Sequence, residues 1–213
     1  MTKARSHARK IQTSRKRFSK IADAQDSLSE FGRGIEVDVL TFGQFSIIDA
    51  IEAVLEKTGP ADVVLATWTA ARFDLSQIEG QMQRANIKSL RLIIDRSFVT
   101  RHPQFVAVIN DKFGADAVRT TTTHAKFVLI TNSAWKVVIR TSMNLNFNPR
   151  LEYLQVVQDD ELADFYGSIV DAIYEETDPG MDQRRSLPQV EGVPAIAPRS
   201  AVAMGKAPAM GPQ

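Results

Sequence analysis

The sequence has no cysteine, few histidines and no long apolar segment. Without cysteine, the 213-residue chain has neither disulfides nor thiolate metal ligands. Three histidines, His7, His102 and His124, are too few for a histidine-rich metal cluster, so we expect no metal and no other cofactor. No apolar run approaches the roughly 18 residues of a membrane span, and the N-terminus lacks the apolar core of a signal peptide. These absences predict a cytoplasmic protein with no membrane partner.

The charge of the chain is unevenly distributed. The composition, 44% hydrophobic and 24% charged, is typical of a globular domain, and the net charge is only +1. Residues 1–20, however, contain no acidic residue and eight basic ones, so the remainder is net acidic. The basic residues are Lys3, Arg5, Arg9, Lys10, Arg15, Lys16, Arg17 and Lys20. A basic arm on an acidic body indicates either a polyanion partner or a solvated tail; we take these residues as candidate nucleic-acid ligands, with DNA favoured over RNA.

Composition divides the chain into three segments. Residues 1–34 are predicted to form the basic arm and a helix, and residues 35–177 a folded domain. Residues 178–213 hold six of the nine prolines, with scattered alanine, glycine and methionine. Such a segment buries too little apolar surface to offset the entropy of ordering it, so it is predicted to be disordered.

Strand-like and helix-like patterns alternate in the central segment. Alternating or continuous apolar runs predict strands at residues 35–42, 62–70, 88–95, 117–131, 135–146 and 151–159. Helical periodicity predicts helices at residues 45–59, 74–85 (with Asp74 as N-cap), 103–114 and 160–177. Helices alternating with strands, followed by a hairpin, predict an α/β sandwich with a mixed central sheet flanked by helices. The strand order stays open at this point.

Polar side chains gather at one end of the predicted hairpin. His124 and Lys126 are two residues apart on one predicted strand and therefore share a face, as do Ser142 and Asn144 on the next. His124 and Ser142 lie at equal distances from the centre of the connecting turn, so pairing of the strands brings the two sets together. Glu152 begins the following strand. No packing requirement explains this combination, which predicts a site.

The chemistry that suits these residues is displacement at phosphorus. Lysine supplies a charge and three donors for phosphate oxygens. Serine and asparagine add neutral donors. A neutral histidine can attack phosphorus and form a covalent phospho-enzyme, or act as a general acid near neutral pH. A nearby carboxylate would orient the imidazole.

The motifs "HAK", "TSMN" and "LEYLQVV" resemble those of the phospholipase D superfamily, which has His-x-Lys-(x4)-Asp, then Gly-Ser-x-Asn, then a glutamate that heads the next strand. The resemblance covers residues 35–177 and implies a phospholipase D-like domain. It implies that His124 is the nucleophile and Lys126 the phosphate clamp. It further implies that Ser142 and Asn144 bind and orient the phosphate and that Glu152 supports the histidine.

Two positions depart from the family pattern. Thr131 stands where the motif has aspartate, and Thr141 stands where it has the glycine before the serine. The family aspartate is thought to be mainly structural, so its loss weakens the resemblance without ending it. The spacing from His124 to Asn144 is also a few residues longer than in the compact bacterial nucleases of the family.

A single copy of the motif has its own implication. Members of the superfamily use two histidines, one attacking and one protonating the leaving oxygen. This chain has one copy, and His102 is not followed by a lysine two residues later. The resemblance therefore implies a homodimer with a composite site on the two-fold axis.

These observations predict a metal-independent phosphodiesterase, a nuclease that acts through a phosphohistidine. The basic arm favours a nucleic acid over a lipid as substrate. Two alternatives stay open: a catalytically silent nucleic-acid-binding or scaffold protein of the same fold, and a phospholipase or lipid phosphotransferase.

Overall fold

The computed structural model describes the backbone of residues 13–18 and the whole of residues 23–146 and 149–181. The predicted tail from residue 182 onward, and most of the basic arm, lie outside these residues. The strands are β1 (Thr13–Phe18), β2 (Ile35–Thr41), β3 (Ala61–Thr67), β4 (Ile87–Asp95), β5 (Val118–Thr121), β6 (Phe127–Thr131), β7 (Lys136–Thr141) and β8 (Glu152–Gln158). The helices are α1 (Ala24–Ser27), α2 (Ile47–Thr58), α3 (Arg72–Gln83), α4 (Ser97–Arg101), α5 (Pro103–Phe113) and α6 (Asp160–Glu176), with a 3-10 turn at Ala115–Ala117.

Within the described residues the strands form one mixed sheet in the order β1-β2-β8-β7-β6-β3-β4-β5. The β3, β4 and β5 strands are parallel to one another, whereas β6, β7 and β8 are joined to their neighbours in antiparallel pairs. As a result, one end of the sheet combines the C-terminal ends of β2, β3, β4, β5 and β7 with the N-terminal ends of β6 and β8. We call it the upper end.

Two apolar layers enclose the sheet. One face packs its alternate residues, such as Val63, Val137 and Ile139, against α2, α3 and α5. The other face packs Leu129 and Val138, among others, against α6. Because successive strand residues point to opposite faces, the uninterrupted apolar runs of the central strands are those of a sheet covered on both sides. The predicted α/β sandwich with a mixed sheet is confirmed.

The helix boundaries follow local signals that the sequence carries. A capping box starts α2, since the Asp49 amide donates to Ser46 Oγ (3.2 Å) and the Ser46 amide donates to Asp49 Oδ2 (2.7 Å). Gly59 ends it with a φ of 77°. The predicted start of α3 at an Asp74 N-cap was wrong: the helix begins two residues earlier, after Ala71, and Asp74 is buried in its first turn.

The prediction of one long strand at residues 117–131 was also wrong, and the strand predicted at residues 135–146 is shorter, since β7 ends at Thr141. β5 pairs with β4 at one edge of the sheet, whereas β6 lies between β3 and β7 and runs in the opposite direction. Residues 122–126 connect them across the upper end, over three interstrand spacings or about 14 Å. Extended residues at about 3.3 Å each can just reach that far. The threonine run favours β structure locally, but the reversal of direction prevents a continuous strand.

In the described part of the chain, none of the helices combines the length and apolarity needed to span a bilayer.

Candidate active site

An open cleft of about 750 Å³ lies at the upper end of the sheet. The five residues predicted to carry chemistry all line it: His124, Lys126, Ser142, Asn144 and Glu152. Other lining side chains include Trp68, Arg140, Arg150, Leu151, Tyr153 and Tyr166. The side chains thus converge as the hairpin pairing predicted, although they come from connections and strand ends rather than from the middle of strands.

His124 and Lys126 belong to the connection that crosses from β5 to β6. The carboxylate of Asp95, at the end of β4, fixes this connection by accepting a hydrogen bond from the Thr123 amide (2.9 Å). The Thr123 hydroxyl in turn accepts from the Ala125 amide (3.1 Å). Asp95 is 6% exposed, so the anchor is shielded from water. No local signal in the sequence relates Asp95 to a partner 28 residues away.

The imidazole of His124 has two neighbours in the cleft. Lys126 Nζ lies 3.3 Å from His124 Nδ1 and donates to the His124 carbonyl (2.9 Å). An ammonium can only donate, so this contact is a hydrogen bond when Nδ1 carries no proton. The indole of Trp68 packs against the ring with centroids 5.4 Å apart. Trp68 also lines the cleft.

Ser142 and Glu152 form a tight pair across the ends of β7 and β8. The Ser142 hydroxyl donates to Glu152 Oε2 and accepts from the Tyr153 amide (3.0 Å). Among the hydrogen bonds of the described residues, Glu152 makes none to His124 within this chain. The carboxylate therefore orients the serine hydroxyl here, which differs from the histidine support that the family resemblance implies.

Thr141 takes the position that the family motif gives to glycine. It is buried, and its hydroxyl donates to the Tyr153 carbonyl (2.7 Å) and accepts from the Met143 amide (3.0 Å). These bonds tie the segment after β7 to β8. The threonine therefore holds Ser142 beside Glu152 and does not obstruct the cleft.

Asn144 sits in a segment held by the last residue of β3 and by the connection that follows β3. The Leu145 amide donates to the Thr67 hydroxyl (3.1 Å), and the Ala71 amide donates to the Leu145 carbonyl (2.7 Å). The side-chain Oδ1 of Asn144 is buried with no hydrogen-bond partner in the described structure. Leaving such an acceptor unpaired costs about 1–3 kcal/mol.

Thr131, which replaces the motif aspartate, lies far from the cleft. It ends β6, where it pairs with Lys136 and Asp62, and the five residue steps from Lys126 to Thr131 span about 16 Å of strand. An aspartate at this position would not contact a ligand in the cleft, so its absence removes no group from the site.

Burial and charge act in opposite directions on Lys126. Partial burial lowers the pKa of its ammonium, and the nearby carboxylate of Glu152 raises that pKa by a smaller amount. The pKa of Lys126 therefore depends partly on Glu152.

We expect Glu152→Gln to lower the pKa of Lys126 further. The amide removes the negative charge that favours the ammonium, so Lys126 loses its proton at a lower pH in the variant than in the parent. Titration of ¹³C-methylated lysines by NMR, with Lys126→Arg to assign the resonance, measures the change. Lys57 is the internal control, because burial also lowers its pKa while backbone carbonyls of Leu28, Ser29 and Phe31 hold it. A Lys126 resonance that titrates at the same or a higher pH contradicts this electrostatic account.

The structure does not describe the side chains of the eight basic residues of the arm. Lys3, Arg5, Arg9, Lys10 and Lys20 lie outside the described residues, and Arg15, Lys16 and Arg17 lie in β1, where the backbone alone is described. β1 pairs with β2 in parallel, so part of the arm continues the sheet. Across residues 23–146 and 149–181, no group of three or more His, Asp or Glu side chains is arranged to hold a metal ion.

The fold is similar to that of known structures, although the sequence matches no protein-family model and no curated protein. NucT from Helicobacter pylori superposes with a TM-score of 0.50 at 15% identity, over 68% of this chain and 99% of NucT. Nuc from Salmonella typhimurium, a phospholipase D family member, superposes with a TM-score of 0.49 at 13% identity, over 71% of this chain and 99% of Nuc. The chain has the phospholipase D-like fold that its motifs predicted.

Proposed function

We propose that the chain is a metal-independent phosphodiesterase that cleaves the backbone of a nucleic acid, DNA in preference to RNA. The observation that carries the proposal is the convergence of His124, Lys126, Ser142 and Asn144 on one open cleft. An imidazole, an ammonium, a hydroxyl and an amide within one cleft supply a nucleophile and donors for phosphate oxygens. The phospholipase D-like fold supports the same chemistry by analogy.

The reaction follows from these groups. An imidazole nitrogen of His124 attacks the phosphorus, the phosphorus–nitrogen bond forms, and the bond to the leaving oxygen breaks. A second imidazole donates a proton to that oxygen. Lys126, Ser142 and Asn144 stabilise the charge on the remaining phosphate oxygens. Water, deprotonated by the second imidazole, then attacks the phosphohistidine and regenerates both histidines.

The second imidazole comes from another copy of the chain in this proposal. His102, the other histidine of the described residues, packs against Phe98 and Phe105, with ring centroids 5.1 and 5.8 Å away, and does not line the cleft. Beside the cleft lie four exposed apolar side chains, Leu40, Phe42, Leu151 and Tyr153, each between 43% and 56% exposed. Leu40 and Tyr153 are directly opposite each other on β2 and β8. An apolar rim next to an incomplete site supports a homodimer.

Charge supports a polyanionic substrate. Lys126, Arg140 and Arg150 line the cleft, and the arm adds eight basic residues. Phosphate neutralisation by such residues dominates affinity for nucleic acids. Esters of small molecules would not require this extended positive charge.

We expect the protein to cleave labelled oligonucleotides in the presence of excess EDTA, since no step of the proposed reaction uses a metal. Electrophoresis of the products at increasing protein concentration measures the activity. A catalytically silent nucleic-acid-binding protein would instead shift the oligonucleotide without cutting it, and a lipid phosphotransferase would act on phospholipid vesicles and leave the oligonucleotide intact. Either of these results would overturn the proposal.

A further inference from the structure

The guanidinium of Arg101 packs over the ring of Trp68, next to the cleft. Arg101, at the end of α4, places its Cζ 3.8 Å from the centroid of that ring and donates from Nη2 to the Trp68 carbonyl (3.0 Å). Trp68 in turn packs against His124. Arg101 and His124 therefore both contact one indole, and a cation–π contact with tryptophan is the strongest of its kind.

A second contact fixes the guanidinium. Arg101 Nε donates to the Ser97 hydroxyl (3.3 Å), and that hydroxyl donates to Asp95. The carboxylate of Asp95 also accepts from the amides of Ser97 and Thr123. Asp95 thus helps to position Arg101, through Ser97, and the connection that carries His124, through Thr123. The arginine is held in place before any ligand arrives, which lowers the entropy cost of binding one.

The charge of Arg101 is exposed and uncompensated. Arg91 and Arg140 each form an ion pair, with Asp171 and Glu36 respectively. Within the described parts of the chain, no carboxylate forms an ion pair with Arg101, and the residue is exposed. An immobilised, exposed guanidinium without a counterion is suited to bind a phosphate with two parallel hydrogen bonds.

We propose that Arg101 binds the phosphate adjacent to the one at His124, on the same strand of the substrate. The inference rests on the proposed function, because it takes the cleft to hold the scissile phosphate. One indole separates the imidazole from the guanidinium, a span that a single nucleotide bridges. The ligand class is therefore a chain with at least two consecutive phosphodiesters.

Salt-dependent binding tests the inference without requiring catalysis. Affinity for a fluorescent single-stranded oligonucleotide is measured by anisotropy at several salt concentrations in full-length His124→Ala protein, with and without Arg101→Gln. Loss of one phosphate contact is expected to reduce the slope of log K against log salt by about 1 and to weaken binding by about three- to tenfold. Arg101→Lys, which keeps the charge, is expected to recover most of the slope.

Arg84→Gln is the matched control. Arg84 is also exposed, but it follows α3 at the lower end of the sheet, away from the cleft. The inference is overturned if Arg101→Gln leaves the slope unchanged, or if Arg84→Gln reduces it equally, provided that thermal unfolding shows both variants folded. The parent in this assay is already His124→Ala and the assay measures binding alone. Its result can therefore be interpreted even if the proposed nuclease activity is absent. If the protein with His124 intact does not cleave the oligonucleotide but Arg101→Gln still reduces the slope, the nuclease proposal is rejected and the phosphate site at Arg101 is kept.

Discussion

His124→Ala is expected to abolish EDTA-resistant cleavage, with kcat falling by about 10³-fold or more. The substitution removes the nucleophile from the proposed reaction and, in a composite site, the general acid as well. His124 is exposed, and its ring contacts Trp68 and Lys126 at the surface of the cleft, so we expect the variant to fold. Turnover of a labelled oligonucleotide measures the loss, and thermal unfolding checks that the variant is folded.

His102→Ala is the matched control for this experiment. It removes the other described imidazole, which lies between Phe98 and Phe105 rather than in the cleft. We expect its kcat to stay within about twofold of the parent value, since substitutions outside a site act mainly on stability. Cleavage that survives His124→Ala but is lost in His102→Ala would place the reaction elsewhere in the molecule.

The sequence predicted the α/β sandwich because its signals are local and strong. The capping box at Ser46 and the glycine at 59 delimit α2 in the sequence as they do in the structure. The apolar runs of β3, β6 and β7 are long enough to require cover on both faces. What the sequence could not indicate was the strand order, since β5 and β6 are consecutive in the chain but lie three positions apart in the sheet.

The candidate site was predictable to the level of its residues but not of their contacts. Spacing around the hairpin turn placed Lys126 and Ser142 at the same end, and the observed register pairs Phe127 with Arg140 nearby. Sequence patterns did not single out Asp95 or Arg101, because the contacts that connect them to the site, with Thr123 and Trp68, join residues distant in sequence. The hydrogen bond from Thr123 to Asp95 forms because residues 122–126 cross the upper end of the sheet from β5 to β6. That path depends on the strand order, which the sequence did not indicate.

Glu152 accepts from Ser142, whereas the family resemblance implied that it supports His124. The sequence could not indicate this partner either. A family motif assigns a role to a residue type, whereas the orientation of a carboxylate depends on the donors around it. Here Ser142 and the charge of Lys126 are the groups that Glu152 contacts or influences. Among the described residues, the imidazole of His124 has a lysine and an indole as neighbours, and in the proposed reaction the second imidazole comes from another copy of the chain.

Mixing parent protein with an excess of inactive His124→Ala protein is therefore expected to suppress the parent activity. If each active centre needs an imidazole from both copies, a parent chain is active only when paired with another parent chain. After subunit exchange at a ninefold excess of the variant, about one parent chain in ten has such a partner, so activity per parent chain falls about tenfold. The rate at saturating oligonucleotide, after incubation long enough for exchange, measures this effect without competition for substrate.

An excess of Arg84→Gln protein is the control for mixing, because its imidazoles are intact and Arg84 lies at the lower end of the sheet. Added in the same ninefold excess, it should contribute activity of its own rather than suppress that of the parent. Sedimentation velocity on the mixture shows in parallel whether dimers are present. Undiminished activity per parent chain after complete exchange would mean that each chain carries a whole site, and the composite arrangement would then have to be abandoned even if the protein is a dimer.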